Sequence, residues 1–192
     1  PLSFAQEQMW FLDQLVPGNT SYKMATALRI KGALNIVALE KSFNETVRRH
    51  ESLRTTFVAV EGIPEQRIAL PLTVTLPVID LMPIPESERA AQLTQLVTEK
   101  ARRSFDLSQG PLLRLMLLRM TPAEHVLLIE SHHIIMDGLS WEVLFRELAA
   151  LYEAFSTGRP SPLAELPLQY ADFVHWQRER LQGDVLEQHL SY

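Results

Sequence analysis

Residues 125–138 read HVLLIESHHIIMDG, and this stretch carries the strongest structural signal in the chain. The unbroken apolar run from Val126 to Ile129 is typical of a strand that is covered on both faces. Two histidines follow directly, and Asp137-Gly138 is a common turn signal. Apolar residues between 141 and 152 then recur at helical spacing, with Ser140 as the predicted N-cap. The stretch therefore predicts a buried strand that leads through a titratable loop into a helix.

The rest of the chain alternates helical and extended patterns around this stretch. Asn35 is a favourable N-cap, and Leu34 and Leu39 are placed to form a hydrophobic staple around it. Predicted helices cover Ser3–Leu15, Asn35–His50, Pro85–Ser104 and Tyr170–Leu181, with another near the C-terminal end, and further predicted strands cover Tyr22–Ile30, Arg54–Val60, Glu65–Leu70, Leu72–Leu76 and Leu112–Met120. This order predicts an α/β fold, a two-layer sandwich with helices packed on a mixed β-sheet.

Composition limits the classes of partner and compartment. The 192 residues suit one domain, since about 150 residues per domain is usual. The net charge of -5 and the lack of clustered basic residues argue against a nucleic-acid partner. No cysteine is present, and no apolar stretch approaches the ~20 residues that cross a bilayer. We expect a cytoplasmic protein with no membrane partner.

The histidine pair is the candidate site. Side chains of adjacent residues in a strand point to opposite faces, so His132 and His133 cannot both serve one reacting centre. We expect one to face a cavity and the other to face packing. Asp137 could hold the loop through charge-assisted hydrogen bonds, and Gly138 allows a close approach that a side chain would block. The pair is a poor metal site, and residues alone leave a purely structural role open.

A resemblance to a known family gives these residues a chemical meaning. His132–Gly138 resembles the HHxxxDG motif of the condensation domains of nonribosomal peptide synthetases, a branch of the chloramphenicol acetyltransferase-like superfamily. Three further segments resemble other motifs of that family in the same order: Ser3–Gln6 with Trp10–Leu12, Arg49–Phe57, and Tyr170–Trp176. We expect the aromatic residues of the first and last of these segments to be packed. The family's later motifs have no counterpart, so the resemblance implies that residues 1–192 form an N-terminal lobe, with the C-terminal lobe absent.

The resemblance also implies a reaction and the residues that serve it. The α-amine of an acceptor aminoacyl thioester would attack a donor acyl thioester, each on the phosphopantetheine arm of a carrier protein, with no directly bound cofactor and no metal. His133 would act as general base or as a positioning group, and the Gly138 N–H would face the thioester or its oxyanion. His132 would support the site, and Asp137 would pair with Arg49 or Arg54.

Three alternatives stay open at this point. An epimerisation domain of the same family shares the histidine motif, and an acyl-CoA-dependent acyltransferase of the superfamily would need no carrier proteins. The third is a catalytically incompetent packing or docking module whose activity needs the missing lobe. We expect the isolated half to be inactive, because the family's active site lies between two lobes.

Overall fold

The structure is a computed structural model, and it describes residues 1–181. The helices are α1 (Phe4–Leu15), α2 (Ile36–Arg49), α3 (Glu86–Ala101), α4 (Gly138–Ser156) and α5 (Tyr170–Arg180), with a 3-10 turn over Glu51–Arg54. The strands are β1 (Lys23–Lys31), β2 (Thr55–Val60), β3 (Ile63–Ile68), β4 (Val78–Asp80), β5 (Leu113–Thr121) and β6 (Glu124–His132).

The main sheet has the strand order β1-β6-β5-β4, and β2 and β3 form a separate two-stranded sheet. β6 pairs antiparallel with both β1 and β5, whereas β4 runs parallel to β5. The apolar run of the opening stretch is therefore an interior strand, as predicted. Its last residue, His132, lies opposite Lys23 at one end of the sheet.

Both faces of β6 are buried, which explains its continuous apolar sequence. Leu127 and Ile129 belong to the larger core cluster, with residues of α2 and α4 such as Phe43 and Leu148. Leu128 belongs to the second cluster, against which residues of α3 pack. The α/β class with helices on a mixed sheet is confirmed. α3 packs on the face of the sheet that carries Leu128, and α2 and α4 pack on the other face.

One predicted strand does not form. Residues 72–76 form no strand, and the strand comes later, as β4, after Pro77. The side chain of Asn44 on α2 accepts from the backbone N–H of Val74 at 2.8 Å and donates to its carbonyl at 3.0 Å. This segment therefore satisfies its backbone through a helix side chain instead of a neighbouring strand.

The other elements follow the predicted order, with ends that differ by a few residues. The predicted helix near the C-terminal end lies outside the described residues. Trp10 packs against the larger core cluster, as expected. Phe11, Phe173 and Trp176 are 60%, 42% and 54% exposed, so these three side chains are not part of the core, although Phe173 contacts the ring of Trp176. Among residues 1–181, no helix combines the length and apolar character needed to cross a membrane.

Candidate active site

The loop after β6 places the two histidines differently. His132 closes the strand and is 3% exposed, and its Nδ1 accepts a hydrogen bond from the backbone N–H of Ile134 at 3.1 Å. The ring contacts Tyr22 and Phe105, with centroids 6.3 Å away in each case. Burial and then the nearby charge of His133 lower the pKa of His132 to about 4. His132 is thus a neutral, packed side chain at physiological pH.

The backbone of His133 continues the pairing between β6 and the β1 side of the sheet, but its ring is less buried than that of His132. The backbone N–H of His133 donates to the carbonyl of Tyr22, the residue before the start of β1, at 2.8 Å. The ring is only partly buried. Its Nδ1 is enclosed and has no hydrogen-bond partner among the described residues, so Nε2 is the nitrogen open to solvent. One histidine of the pair, His132, is therefore packed as expected, and His133 is partly exposed.

Asp137 is the N-cap of α4, a role that the sequence pattern gave to Ser140. Its Oδ1 accepts from the Ser140 backbone N–H at 2.9 Å and from the Ser140 hydroxyl at 2.6 Å. The Ser140 Oγ in turn accepts from the Asp137 N–H at 3.0 Å, which completes a capping box. The side-chain and backbone hydrogen bonds from Ser140, followed by the charge of His133, hold the pKa of Asp137 below its ordinary value.

The expected pairing of Asp137 with an arginine is wrong. Arg49 donates to Glu147, with Nε 3.2 Å from Oε2, and both residues are buried. Arg54 instead bonds Glu51, at 3.2 Å, and the carbonyl of Ala69. Both arginines are turned toward α4 or the 3-10 turn, while Asp137 is exposed at the start of its helix.

Glu147 is the residue that sequence reasoning missed. It accepts from Arg49 and also lies 2.9 Å from Nε2 of His50, so it joins α4 to the end of α2. Burial would raise the pKa of Glu147, but the hydrogen bonds from Arg49 and His50 outweigh it and hold that pKa below its ordinary value. A charge among Leu144, Leu148 and Leu151 on the apolar face of the helix was the available signal.

The first segment bonds the histidine loop, and the fourth segment bonds the first. Gln6, 2% exposed, donates from Nε2 to the carbonyl of Ile134 at 3.2 Å. Tyr170 of α5 donates its hydroxyl to Ser3 Oγ at 3.1 Å, and Ser3 is the N-cap of α1. In the second segment, Arg49 bonds Glu147 on α4, the helix that follows the histidine loop. The structure therefore gathers the motif segments around one loop, although 128 residues separate Gln6 from Ile134.

Gly138 is the first residue of α4. A Cβ built there meets nothing within 4 Å, so no contact within the described chain requires a glycine. Its N–H cannot have an intrahelical partner, and no described residue accepts it. The partial positive charge of a helix N-terminus adds to this free donor. The geometry can therefore accommodate an incoming oxygen at this point.

The profile of the condensation domain family matches residues 1–192, the whole chain. The chain belongs to the condensation domain family.

Within residues 1–181, no cluster of His, Asp or Glu side chains could hold a metal ion.

The curated relatives of this condensation-family chain are large peptide synthetases. It is 50% identical over 192 residues to one of the subunits of the linear gramicidin synthase of Brevibacillus parabrevis. It is 45% identical to phosphinothricin tripeptide synthetase PhsC of Streptomyces viridochromogenes. The chain spans only 2% and 18% of the lengths of these two proteins.

Solved structures share the fold. The starter condensation domain of rhizomide synthetase RzmA superposes with a TM-score of 0.84 at 25% identity, covering 95% of this chain and 44% of that one. The complex of the X-domain and OxyB from teicoplanin biosynthesis gives a TM-score of 0.79 at 33% identity, covering 94% of this chain and 38% of that one. The similarity thus extends over less than half of each neighbouring chain.

Proposed function

We propose that residues 1–192 form the histidine-bearing lobe of a condensation domain that makes peptide bonds in nonribosomal peptide synthesis. The observation that carries the proposal is the contrast between the two histidines: His132 is neutral and packed, whereas Nε2 of His133 is open to solvent. Both belong to the loop that leads to the free N–H of Gly138 at the start of α4. Membership of the family and relatives that are peptide synthetases favour condensation over epimerisation or acyl-CoA-dependent transfer.

In the proposed reaction the acceptor amine attacks the donor thioester carbonyl. A C–N bond forms, the C–S bond breaks, and the amine loses a proton while the thiolate leaving group gains one. His133 Nε2 either accepts that proton or holds the amine and the tetrahedral intermediate in place. The Gly138 N–H, at the positive end of α4, would donate to the developing oxyanion. Asp137 keeps that helix end formed, and His132 fixes the turn through the Ile134 N–H.

The substrates would arrive on carrier proteins. Neither acyl group needs a cofactor bound to this lobe, because phosphopantetheine arms of a donor and an acceptor carrier protein would deliver both thioesters. A C-terminal lobe would supply the other wall of the site, in keeping with structural neighbours more than twice as long as the shared region. We place the domain in the cytoplasm, where such synthetases would find these partners.

Two forms of the protein test this proposal together. The domain at natural length and the chain of residues 1–192 are each incubated with loaded donor and acceptor carrier proteins, and the dipeptidyl product is followed by mass spectrometry. We expect product from the domain of natural length and none above background from residues 1–192 alone. Product from neither form, with carriers shown to be loaded, contradicts the proposed activity. Equal rates from both forms contradict the need for a second lobe.

A further inference from the structure

Two buried polar atoms near the histidine loop have no hydrogen-bond partner among the described residues. Ser131 is fully buried, at 0% exposure, and its Oγ has no hydrogen-bond partner. Nδ1 of His133 is likewise enclosed and without a partner. Buried polar groups are nearly always hydrogen-bonded, to protein or to ordered water, so two unsatisfied atoms two residues apart call for a shared explanation.

Strand geometry places these two side chains on the same face. Ser131 pairs with Met24 in the β1–β6 ladder, and His132 ends β6. His133 opens the turn that follows, but its N–H still donates to the carbonyl of Tyr22, as the ladder would require. Residues i and i+2 of a strand share a face, with Cα atoms about 6.7 Å apart. That spacing is too long for a direct contact between the two side chains pointing straight out, and it suits one water molecule between them.

We propose that one water molecule bridges Ser131 Oγ and His133 Nδ1, and that Ser131 is thereby a positioning residue for His133. This inference rests on the proposed function for its chemical consequence. If Nε2 is to accept the proton of the amine, it must hold a lone pair, so the ring proton must sit on Nδ1. An Nδ1–H without a partner in an enclosed place is costly, and the water removes this cost by accepting it.

The first test reads the tautomer of His133 directly. The domain at natural length is labelled with 15N-histidine, and the His133 signals are assigned by their loss in His133→Gln. Spectra are recorded for the wild type, Ser131→Ala and the matched control Ser42→Ala, at a pH where the ring is neutral. Ser42 is also 0% exposed, but its hydroxyl donates to the carbonyl of Ala38 on α2 at 2.7 Å.

We expect the wild type and Ser42→Ala to show the Nδ1–H tautomer, and Ser131→Ala to show an increased Nε2–H fraction. Alanine is smaller than serine and fits the same strand position, so the variant should fold. An Nε2–H tautomer in the wild type, or an identical His133 spectrum in Ser131→Ala, would overturn the inference.

The second test is kinetic. Loss of one hydrogen-bonded link should lower kcat for condensation about 3- to 10-fold in Ser131→Ala, with KM for the loaded carrier proteins unchanged. A kcat equal to that of Ser42→Ala overturns the positioning role. Failure of the proposed function is a separate result, because it would appear as full activity in a variant that lacks the His133 imidazole, whatever the spectra of Ser131→Ala show.

Discussion

The side-chain amide of Gln6 donates a hydrogen bond to the carbonyl oxygen of Ile134, 3.2 Å away, across the boundary between the first helix and the histidine loop. The same amide group accepts from the N–H of Ser3 at 3.0 Å, so one buried side chain both caps α1 and holds the turn that follows His133. The first motif segment is thus a structural support for the third.

Replacing Gln6 should loosen this support. Gln6→Leu leaves the Ser3 N–H and the Ile134 carbonyl unpaired in a buried place, so we expect the free energy of unfolding to fall by about 2 kcal/mol or more. Gln14→Leu makes the same change at an exposed position of α1 and should stay within about 0.5 kcal/mol of the wild type. Chemical denaturation of both variants measures the difference, and equal stabilities would contradict the bridging role.

Asp137 should act as a helix cap and not as an ion-pair partner. Asp137→Ala is expected to cost about 1 kcal/mol, the usual loss on removing an N-cap, whereas Asp137→Asn keeps a capping oxygen and should cost little. Thermal unfolding of the two variants compares them. A loss of about 3 kcal/mol or more in both variants would indicate a buried charged partner and would contradict the capping assignment.

The buried pair of Arg49 and Glu147 should be much more sensitive to substitution than an exposed ion pair. Glu147→Gln leaves the Arg49 guanidinium without its carboxylate at 4% exposure, so we expect about 3–5 kcal/mol of destabilisation. Glu45→Gln removes one of the two carboxylate partners of Arg48, whose side chain is 40% exposed, and should cost less than about 1 kcal/mol. Urea unfolding of the two variants tests this ranking, and similar losses would contradict it.

Acid should destabilise the fold through His132. Because the folded state lowers its pKa from 6.5 to about 4, the unfolded state binds the proton more readily between these values. The contribution of neutral His132 to the free energy of unfolding is therefore fully present above pH 6.5. It is lost as pH falls toward 4, by up to about 3 kcal/mol. His132→Asn keeps an acceptor for the Ile134 N–H without titrating, so its stability should vary less with pH in that window. Parallel pH curves for both proteins would contradict the assignment.

Local patterns predict the elements where local forces decide them. The cap at Asn35 and the apolar run of β6 could be predicted because their hydrogen bonds or burial depend on near neighbours in sequence. The choice between Asp137 and Ser140 was harder, since both are capping residues and the structure uses them together in one capping box.

Contacts between residues that are distant in sequence could not be predicted from local patterns. The strand expected at Leu72–Leu76 is replaced by hydrogen bonds to Asn44, a side chain 30 residues earlier in the chain than Val74. The partner of Arg49 is Glu147, separated by 98 residues, and charge alone could not distinguish it from Asp137. Alternation along a strand predicts that His132 and His133 differ in burial, but it does not determine which of the two is packed.

The central claim is that His133 is the reacting histidine, and one comparison tests it most directly. His133→Ala is made in the domain at natural length, and dipeptidyl product is timed with loaded donor and acceptor carrier proteins. His175→Ala, an exposed histidine on α5, is the matched control. We predict that His133→Ala lowers the condensation rate by about 100-fold or more with an unchanged melting temperature, while His175→Ala keeps the wild-type rate. A His133→Ala rate within about 3-fold of the wild type would contradict the account, since a general base or oxyanion contact contributes far more than that.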